Sequence, residues 1–463
     1  MKVHFLGICG TFMAGLALIA KQLGYTVSGS DKGAYPPMSD ILDVAGISVT
    51  EGYRAINFEK QQYDCVVVGN VISRGNPALE MIMQLGLPYI SGPQWLFEHV
   101  LKHKHILAVA GTHGKTTTTA LLTWILECAG LNPGFLIGGD PNDFTVSARV
   151  TSSNYFVIEA DEYDTAFYDK RPKFMHYQPR TLVLNNLEFD HADIYNNLTE
   201  IKQQFSYLLR TVPSNAEIIL NADDDNLQEV IDQGCWSSVN EFNAEDSLWQ
   251  ADTISASGNE FDLRYDSELI GRVRWGLLGQ YNISNALAAA TAASTLGLSA
   301  STIVSDISRF KGVAKRLEIL FETEDISVYR DFAHHPTAIA GVVSALRKRF
   351  TSRRLIVFLQ LGSRTMQRHV DIEQLAKSLS DADSVVLLDS GEVQWDLELL
   401  RRAYQTQIDI ESSAALILNK WQAAIMENDC VVFLSNKDFQ SIPVRITEYL
   451  QQKFSDKILI KEG

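Results

Sequence analysis

The stretch AVAGTHGKTTTTALL, residues 108–122, sets Lys115 and Thr116 directly after a run of small residues. Glycines at 111 and 114 let successive backbone N–H groups turn toward one anion. Lys115 adds a cation, and Thr116 offers a hydroxyl to Mg2+. A full-length phosphate loop has a glycine five residues before the Gly of Gly-Lys-Thr; here Val109 stands there, so the loop is a shortened form. The chemistry implied is the gripping of a triphosphate by Gly111, Thr112, His113, Gly114, Lys115, Thr116 and Thr117.

Two acidic stretches follow at the ends of apolar, strand-like runs. VIEADEYD carries Glu159, Asp161, Glu162 and Asp164, and NNLEFDHADIY carries Glu188, Asp190, His191 and Asp193. In open α/β sheets ligands collect at the carboxyl ends of strands, so both stretches can face the loop. Glu159 and His191 are the metal-ligand candidates beside Thr116. Carboxylate and water suit Mg2+, and an imidazole admits Mg2+ or Mn2+.

A second glycine-rich turn, HFLGICGTFMAG, opens the chain. Its Gly7, Cys9, Gly10 and Thr11 lie between a strand and a helix, where free N–H groups can hold a pyrophosphate. The spacing is not GxGxxG, and tight strand–helix packing explains the glycines equally well. Asp31, after the next strand, either reads a ribose hydroxyl or is a polar loop residue. Ser73 and Arg74, in NVISRGNP, either reach the same ligand or are solvated.

Elements of α/β type must position these groups. VHFLG, YTVSGSD and YDCVVVGN read as strands of a first block, with TFMAGLALIAKQLG a helix ended by Gly24. A second block runs through ILAVAG, NYFVIEAD, RTLVLNN and AEIILNAD. A polar stretch from 223 to 275 reads as irregular or short antiparallel structure, and YNISNALAAATAASTLG is a helix. A third block has strands ISVYRDF, RRLIVFLQL, SVVLLDS and DCVVFLSN. The 463 residues thus divide as three α/β domains in series, 1–105, 106–312 and 313–463.

Net charge is -16 with no long basic run, which argues against nucleic acid as a partner. Five scattered cysteines fit reduced thiols. Neither a signal segment nor a long apolar span is evident, so no membrane partner and a cytoplasmic location are expected.

Six segments occur in the order found in the Mur ligases: GTHGKTTTT, IEADEYD, NNLEFDHADIY, GQYNISNALAAA, GVAKRLE and DFAHHPT. The chain resembles that family of ATP-dependent amide-forming enzymes of cell-wall synthesis over essentially its whole length. The resemblance implies a Rossmann-like N-terminal domain, a central P-loop ATPase-like domain and a Rossmann-like C-terminal domain. It gives each loop its own nucleotide, a UDP-sugar on the first and ATP on the second.

Two members of the family act on UDP-N-acetylmuramate. One adds L-alanine, and the other adds the recycled tripeptide L-Ala-γ-D-Glu-meso-diaminopimelate. HFLGICGTFMAGLA, AYPPMSD, RGNP with SGPQWL, and DEYDTAFYDKRPKF resemble the tripeptide-adding member. The expected function is therefore tripeptide ligation, with L-alanine ligation as the alternative. A nicotinamide dehydrogenase would leave Lys115 and Thr116 unused, and a non-catalytic nucleotide-binding module has no need of both Glu159 and His191.

By resemblance, Lys115 grips the β- and γ-phosphates, Thr116 ligates one Mg2+, and Glu159 with His191 binds a second. Asn282 or Asn285 reads adenine, Arg316 reaches the phosphates, and Asp331 the ribose. His334 and His335 approach the acceptor. Some relatives carry a carbamylated lysine downstream of the histidine; Lys202 is not assigned that role. Arg316 and Asp331 can meet ATP only if the third block lies over the second.

Two segments depart from the tripeptide-adding pattern. QLGSRTMQ, 360–367, stands where EPRSNTMK is usual, and SNKDFQS, 435–441, where SNGGFGG is usual. Arg364 is the residue expected to replace the arginine missing at Gly362 and to hold an acceptor carboxylate.

Overall fold

The computed structural model describes residues 1–34, 38–53, 58, 63–368, 370–404 and 408–454. Tyr35–Pro37, part of AYPPMSD, lie outside the described residues.

The first sheet is wholly parallel, in the spatial order Ser48–Glu51, Thr26–Asp31, Lys2–Leu6, Cys65–Val68, Tyr89–Ser91. The order reverses beside Lys2–Leu6, so the turns after this strand and after Cys65–Val68 form a crevice. Helix Thr11–Gln22 follows the first turn and breaks before Gly24, whose φ of +81° lets the chain reverse. Gly15 lies inside this helix, where a Cβ would meet Leu136 and Ala148 of the next domain. Its small size serves close packing between domains and not the loop. One apolar core runs from Val3 and Phe5 through Leu16 and Leu136 to Leu220, joining the first sheet to one face of the second.

The second sheet has seven strands, in the order Ser238–Phe242, Glu217–Asn221, Thr181–Leu184, His105–Ala110, Tyr155–Ala160, Gly134–Leu136, Ala148–Arg149. All pair in parallel except the last. His105–Ala110 lies between the strands that end at Ala160 and Leu184, so three chain segments emerge together at one edge. Helix Gln280–Ser294, whose alanines are almost wholly buried, packs its backbone close against helix Lys115–Cys128.

The polar stretch is more regular than its composition suggests. It forms helix Asp225–Asp232, the parallel strand Ser238–Phe242 and a three-stranded antiparallel meander, Trp249–Thr253, Glu260–Tyr265 and Glu268–Arg274. Its core face carries Trp249, Phe261, Leu263 and Val273, while Arg272 pairs with Asp262 and Glu260 outside.

The third sheet runs Glu318–Glu322, Ser327–Asp331, Asp429–Leu434, Arg354–Gln360, Ser384–Leu388, Ile408–Glu411, with only the first strand antiparallel. Apolar clusters cover both of its faces, which explains the continuous hydrophobic runs of its central strands. The three α/β domains lie in series. Among the described residues no helix is long and apolar enough to cross a membrane.

Candidate active site

A cavity of about 720 Å3 lies where the three domains meet. Thr11 and Phe12 reach it from the first domain, residues 112–117 from the second, and Arg316 and Asp331–His335 from the third. The third domain already lies over the second. Arg316 Nη2 donates to Thr116 Oγ1 at 3.3 Å, Thr337 Oγ1 to Glu188 at 2.7 Å, and Thr365 Oγ1 to Asp190 at 2.6 Å.

The shortened loop is shaped by its glycines and anchored from the neighbouring strand. Gly111 has φ +135°, and a Cβ there would lie 3.0 Å from the backbone of Asn186. Thr112 N donates to Asn186 O at 3.0 Å, and His113 N to Asn186 Oδ1 at 2.7 Å. The His113 amide is thus spent on the fold. Thr118 N bonds back to Gly114 O at 2.9 Å, leaving the N–H groups of 115–117 as the open first turn of helix Lys115–Cys128. An anion fits there.

Lys115 Nζ donates to Gly111 O at 2.6 Å and to Glu162 Oε2 at 2.8 Å. Burial opposes its charge, but Glu162, Asp161 and Glu159 outweigh that and raise its pKa. Glu162 is 3 % exposed and also contacts His191 Nε2 through Oε1 at 2.9 Å. Burial pushes its pKa up, yet Lys115 and His191 hold it down at about 2. His191 shows the converse: burial lowers its pKa, and Glu162 with Asp190 raises it overall.

Glu159 and His191 line the same cavity, each with its own partner. Glu159 Oε2 accepts from Thr116 Oγ1 at 3.2 Å and its Oε1 from Gly138 N at 2.6 Å. Burial, with Asp161 nearby, drives its pKa up to about 7. A buried carboxylate without enough positive charge, bonded to a threonine hydroxyl, is a site that a divalent cation would complete. Thr116 is thus bonded to Glu159, and His191 to Glu162.

Asn282 and Asn285 are buried side by side on helix Gln280–Ser294, but their amides are largely committed. Asn282 Nδ2 donates to Leu278 O, Asn285 Nδ2 to Asn282 Oδ1, and Thr118 Oγ1 to Asn285 Oδ1. They brace the phosphate loop. The helix N-cap is Gly279, so neither is a capping residue. Asn221, Asp223, Asn243 and Ser284 line the same part of the cavity and were not singled out by sequence, since lone amides and hydroxyls carry no distinctive spacing. Asp331 accepts from Leu317 N and Ala333 N, each at 2.7 Å, and burial raises its pKa.

In the first domain, Gly7 has φ +79° and Gly10 caps helix Thr11–Gln22. Asp31 Oδ2 accepts from Cys9 N at 2.8 Å and Oδ1 from Lys32 N at 2.7 Å, so its carboxylate orders the turn itself. Arg74 is exposed and forms a forked pair with Glu80, at 2.9 and 3.2 Å; Ser73 beside it is exposed too. Phe12 stacks on buried Lys173, whose Nζ lies 4.2 Å from the ring and also meets Asp161 and Tyr163. Lys173 was missed because, following Lys170 and Arg171, it looks like one more solvated basic residue.

His334 and His335 both line the cavity; burial lowers His334 to about 4. Arg364 does not line it. It is exposed at the start of helix Arg364–Arg368, with Gln367 at 3.5 Å, while its neighbour Thr365 faces Asp190. Lys202 pairs with Glu229 at 2.6 Å.

Three sequence models cover the chain in order: "Mur ligase family, catalytic domain" at residues 2–104, "Mur ligase middle domain" at 109–293, and "Mur ligase, glutamate ligase domain" at 315–436. The chain belongs to the Mur ligase family. As a Mur ligase it is an ATP-dependent ligase. It is 43 % identical over 458 residues to the UDP-N-acetylmuramate–L-alanyl-γ-D-glutamyl-meso-2,6-diaminoheptandioate ligase of Escherichia coli, covering 98 % of this chain and 99 % of that one. A crystal structure of a murein peptide ligase from Psychrobacter arcticus matches 97 % of this Mur ligase and 98 % of that chain, at 39 % identity and a TM-score of 0.75. A UDP-N-acetylmuramate–L-alanine ligase from Acetivibrio thermocellus is 33 % identical over 391 residues, or 84 % of this chain and 81 % of its own.

Proposed function

We propose that this Mur ligase joins the tripeptide L-Ala-γ-D-Glu-meso-diaminopimelate to the carboxylate of UDP-N-acetylmuramate, using ATP. The observation that carries the reading is the near end-to-end identity to a tripeptide ligase, 43 % over 98 % of the chain, against 33 % over 84 % for an L-alanine ligase. The division into 1–105, 106–312 and 313–463 assigns the UDP-sugar, ATP and acceptor to successive domains. Nucleotide substrates and five free cysteines support work in the cytoplasm.

A carboxylate is a poor electrophile toward an amine. Transfer of the γ-phosphoryl group to it gives an acyl phosphate, which the amine attacks with loss of phosphate. Lys115 and the open N–H groups of 115–117 hold the triphosphate, and Arg316 adds a second cation from the third domain. Thr116 with Glu159 is the pair suited to Mg2+, or Mn2+, and Glu162 with His191 offers a second position. Such a cation, when bound, withdraws charge from phosphoryl oxygens. Lys115 must exchange Glu162 for phosphate when ATP arrives. The turn at Gly7–Thr11 holds the UDP-sugar, whose sugar end reaches the cavity past Phe12. The acceptor enters against His334 and Asn436, which face the cavity from the third domain.

Oxygen-18 in the carboxylate of UDP-N-acetylmuramate tests the reaction. Phosphate released during tripeptide ligation should carry one labelled oxygen. Unlabelled phosphate would rule out an acyl phosphate.

A further inference from the structure

Three further ligand-type side chains meet on one wall of the cavity. His113 and Glu188 belong to loops of the central domain, and His335 caps helix Pro336–Arg349 of the third. His113 Nε2 lies 3.3 Å from Glu188 Oε2, and His335 Nδ1 lies 3.2 Å from the same oxygen. The two rings are 4.8 Å apart at 45°. All three ligand atoms fall within 4.8 Å of one another.

His335 is 8 % exposed, and its Nδ1 makes no hydrogen bond despite the nearby carboxylate. A buried imidazole nitrogen close to a carboxylate oxygen but not hydrogen-bonded to it is open to a cation as a ligand. Zinc bonds of about 2.0–2.1 Å in a tetrahedron place ligand atoms about 3.3 Å apart. Two edges of this triangle have that length already, and the third is no longer than 4.8 Å. Two imidazoles and one carboxylate suit a borderline cation better than hard Mg2+, which favours oxygen donors. The fourth position opens to the cavity.

We propose that His113, Glu188 and His335 form an interdomain site for a borderline divalent cation of the Zn2+ class, which clamps the third domain onto the second. The clamp follows from connectivity, because two ligands move with the central domain and one with the third. Thr337, donating to Glu188 from the same helix as His335, marks where the two surfaces already meet. The site uses none of Thr116, Glu159, Glu162 or His191.

The full-length, nucleotide-free enzyme can be titrated with Co2+, followed by visible absorption, and with Zn2+ by calorimetry. One equivalent should bind to the wild type. His335→Gln and His113→Ala should each weaken Co2+ by about a hundredfold or more, as loss of a direct ligand exceeds the usual outer-shell effect. Circular dichroism establishes that each variant is folded, and His335→Asn replaces His335→Gln if that protein does not fold. Zn2+ should also slow hydrogen exchange in helix Pro336–Arg349 of the wild type but not of His335→Gln. Unchanged Co2+ affinity in both variants would overturn the site. So would loss of binding in His191→Ala with retention in His335→Gln, which would place the cation at the phosphates. Binding without slowed exchange would overturn the clamp.

Discussion

Lys115 Nζ sits 2.8 Å from Glu162 Oε2 at the foot of the phosphate loop, with Glu162 buried and Lys115 largely so. The lysine that would meet ATP is therefore held by a carboxylate when no phosphate is there to hold it. Leaving either charge alone in this setting costs about 3–5 kcal/mol, whereas removing both costs less than the sum. Glu162→Gln and Lys115→Met should each lower the unfolding free energy, with a positive coupling of ~1–3 kcal/mol in the double mutant. Denaturant titration of the four proteins measures it. Additive losses would mean that the pair is not a unit.

The same geometry separates stability from catalysis. Lys115→Ala should cut kcat by about 10^2–10^3 or more, the scale of losing one charge-stabilising donor at the transferring phosphoryl group. Circular dichroism should still report a folded protein. A folded Lys115→Ala enzyme with near-normal turnover would detach the loop from ATP.

His4 supplies a pH-dependent term far from the cavity. It is 2 % exposed, its ring nitrogens face Ser28 Oγ at 2.9 Å and Ser30 Oγ at 3.1 Å, and Phe58 and Tyr63 pack against it. Burial without an acidic partner lowers its pKa from 6.5 to about 4. The unfolded chain then binds the proton more readily than the folded one, so stability is fully present above pH 6.5 and is lost as pH falls toward 4. The loss attributable to His4 amounts to about 3 kcal/mol at most. His4→Gln should flatten this part of the stability–pH curve. An equally steep curve in the variant would assign the loss to other groups.

The segment 435–441 carries a strain that glycine would relieve. Phe439, Gln440 and Ser441 have φ of +56°, +50° and +63°, a run of left-handed backbone without a glycine. Each such residue costs about 1–2 kcal/mol relative to a glycine free of a Cβ. Ser441→Gly and Gln440→Gly should each stabilise the protein by about 1 kcal/mol after the entropy of the unfolded glycine is set against the gain. Thermal melts decide this, and a lowered midpoint in both would show that the side chains hold the loop by contacts worth more than the strain.

Most of the architecture was legible because apolar runs and glycine-ended helices report burial directly. The strands ending at Asp31, Val68, Ala110, Ala160, Leu184, Asp331, Gln360 and Leu434 all fall in segments read as strands. Edge strands such as Ser48–Glu51, Glu318–Glu322 and Ile408–Glu411 were not legible, since a partly solvated strand has too few apolar residues to stand out. In the polar stretch, the expected short antiparallel structure is the meander at 249–274, while helix Asp225–Asp232 was not read.

For the site, spacing located the stretches but not the partnerships. Glu159, Glu162 and His191 were all visible as acidic-stretch residues, yet which carboxylate meets the histidine depends on how two strand ends turn. Asp31 was visible as a polar residue after a strand, and only the fold shows its carboxylate on Cys9 N. Arg364 was chosen by proximity in sequence. A five-residue helix leaves it exposed and presents Thr365 to Asp190, an arrangement that spacing alone does not report.

The acceptor comparison tests the central claim most directly. With UDP-N-acetylmuramate, ATP and Mg2+ held saturating, phosphate release is measured with the tripeptide L-Ala-γ-D-Glu-meso-diaminopimelate and, separately, with L-alanine. The account predicts a much higher kcat/KM for the tripeptide, with a product whose mass equals UDP-N-acetylmuramate plus tripeptide less one water. A higher kcat/KM for L-alanine would contradict it.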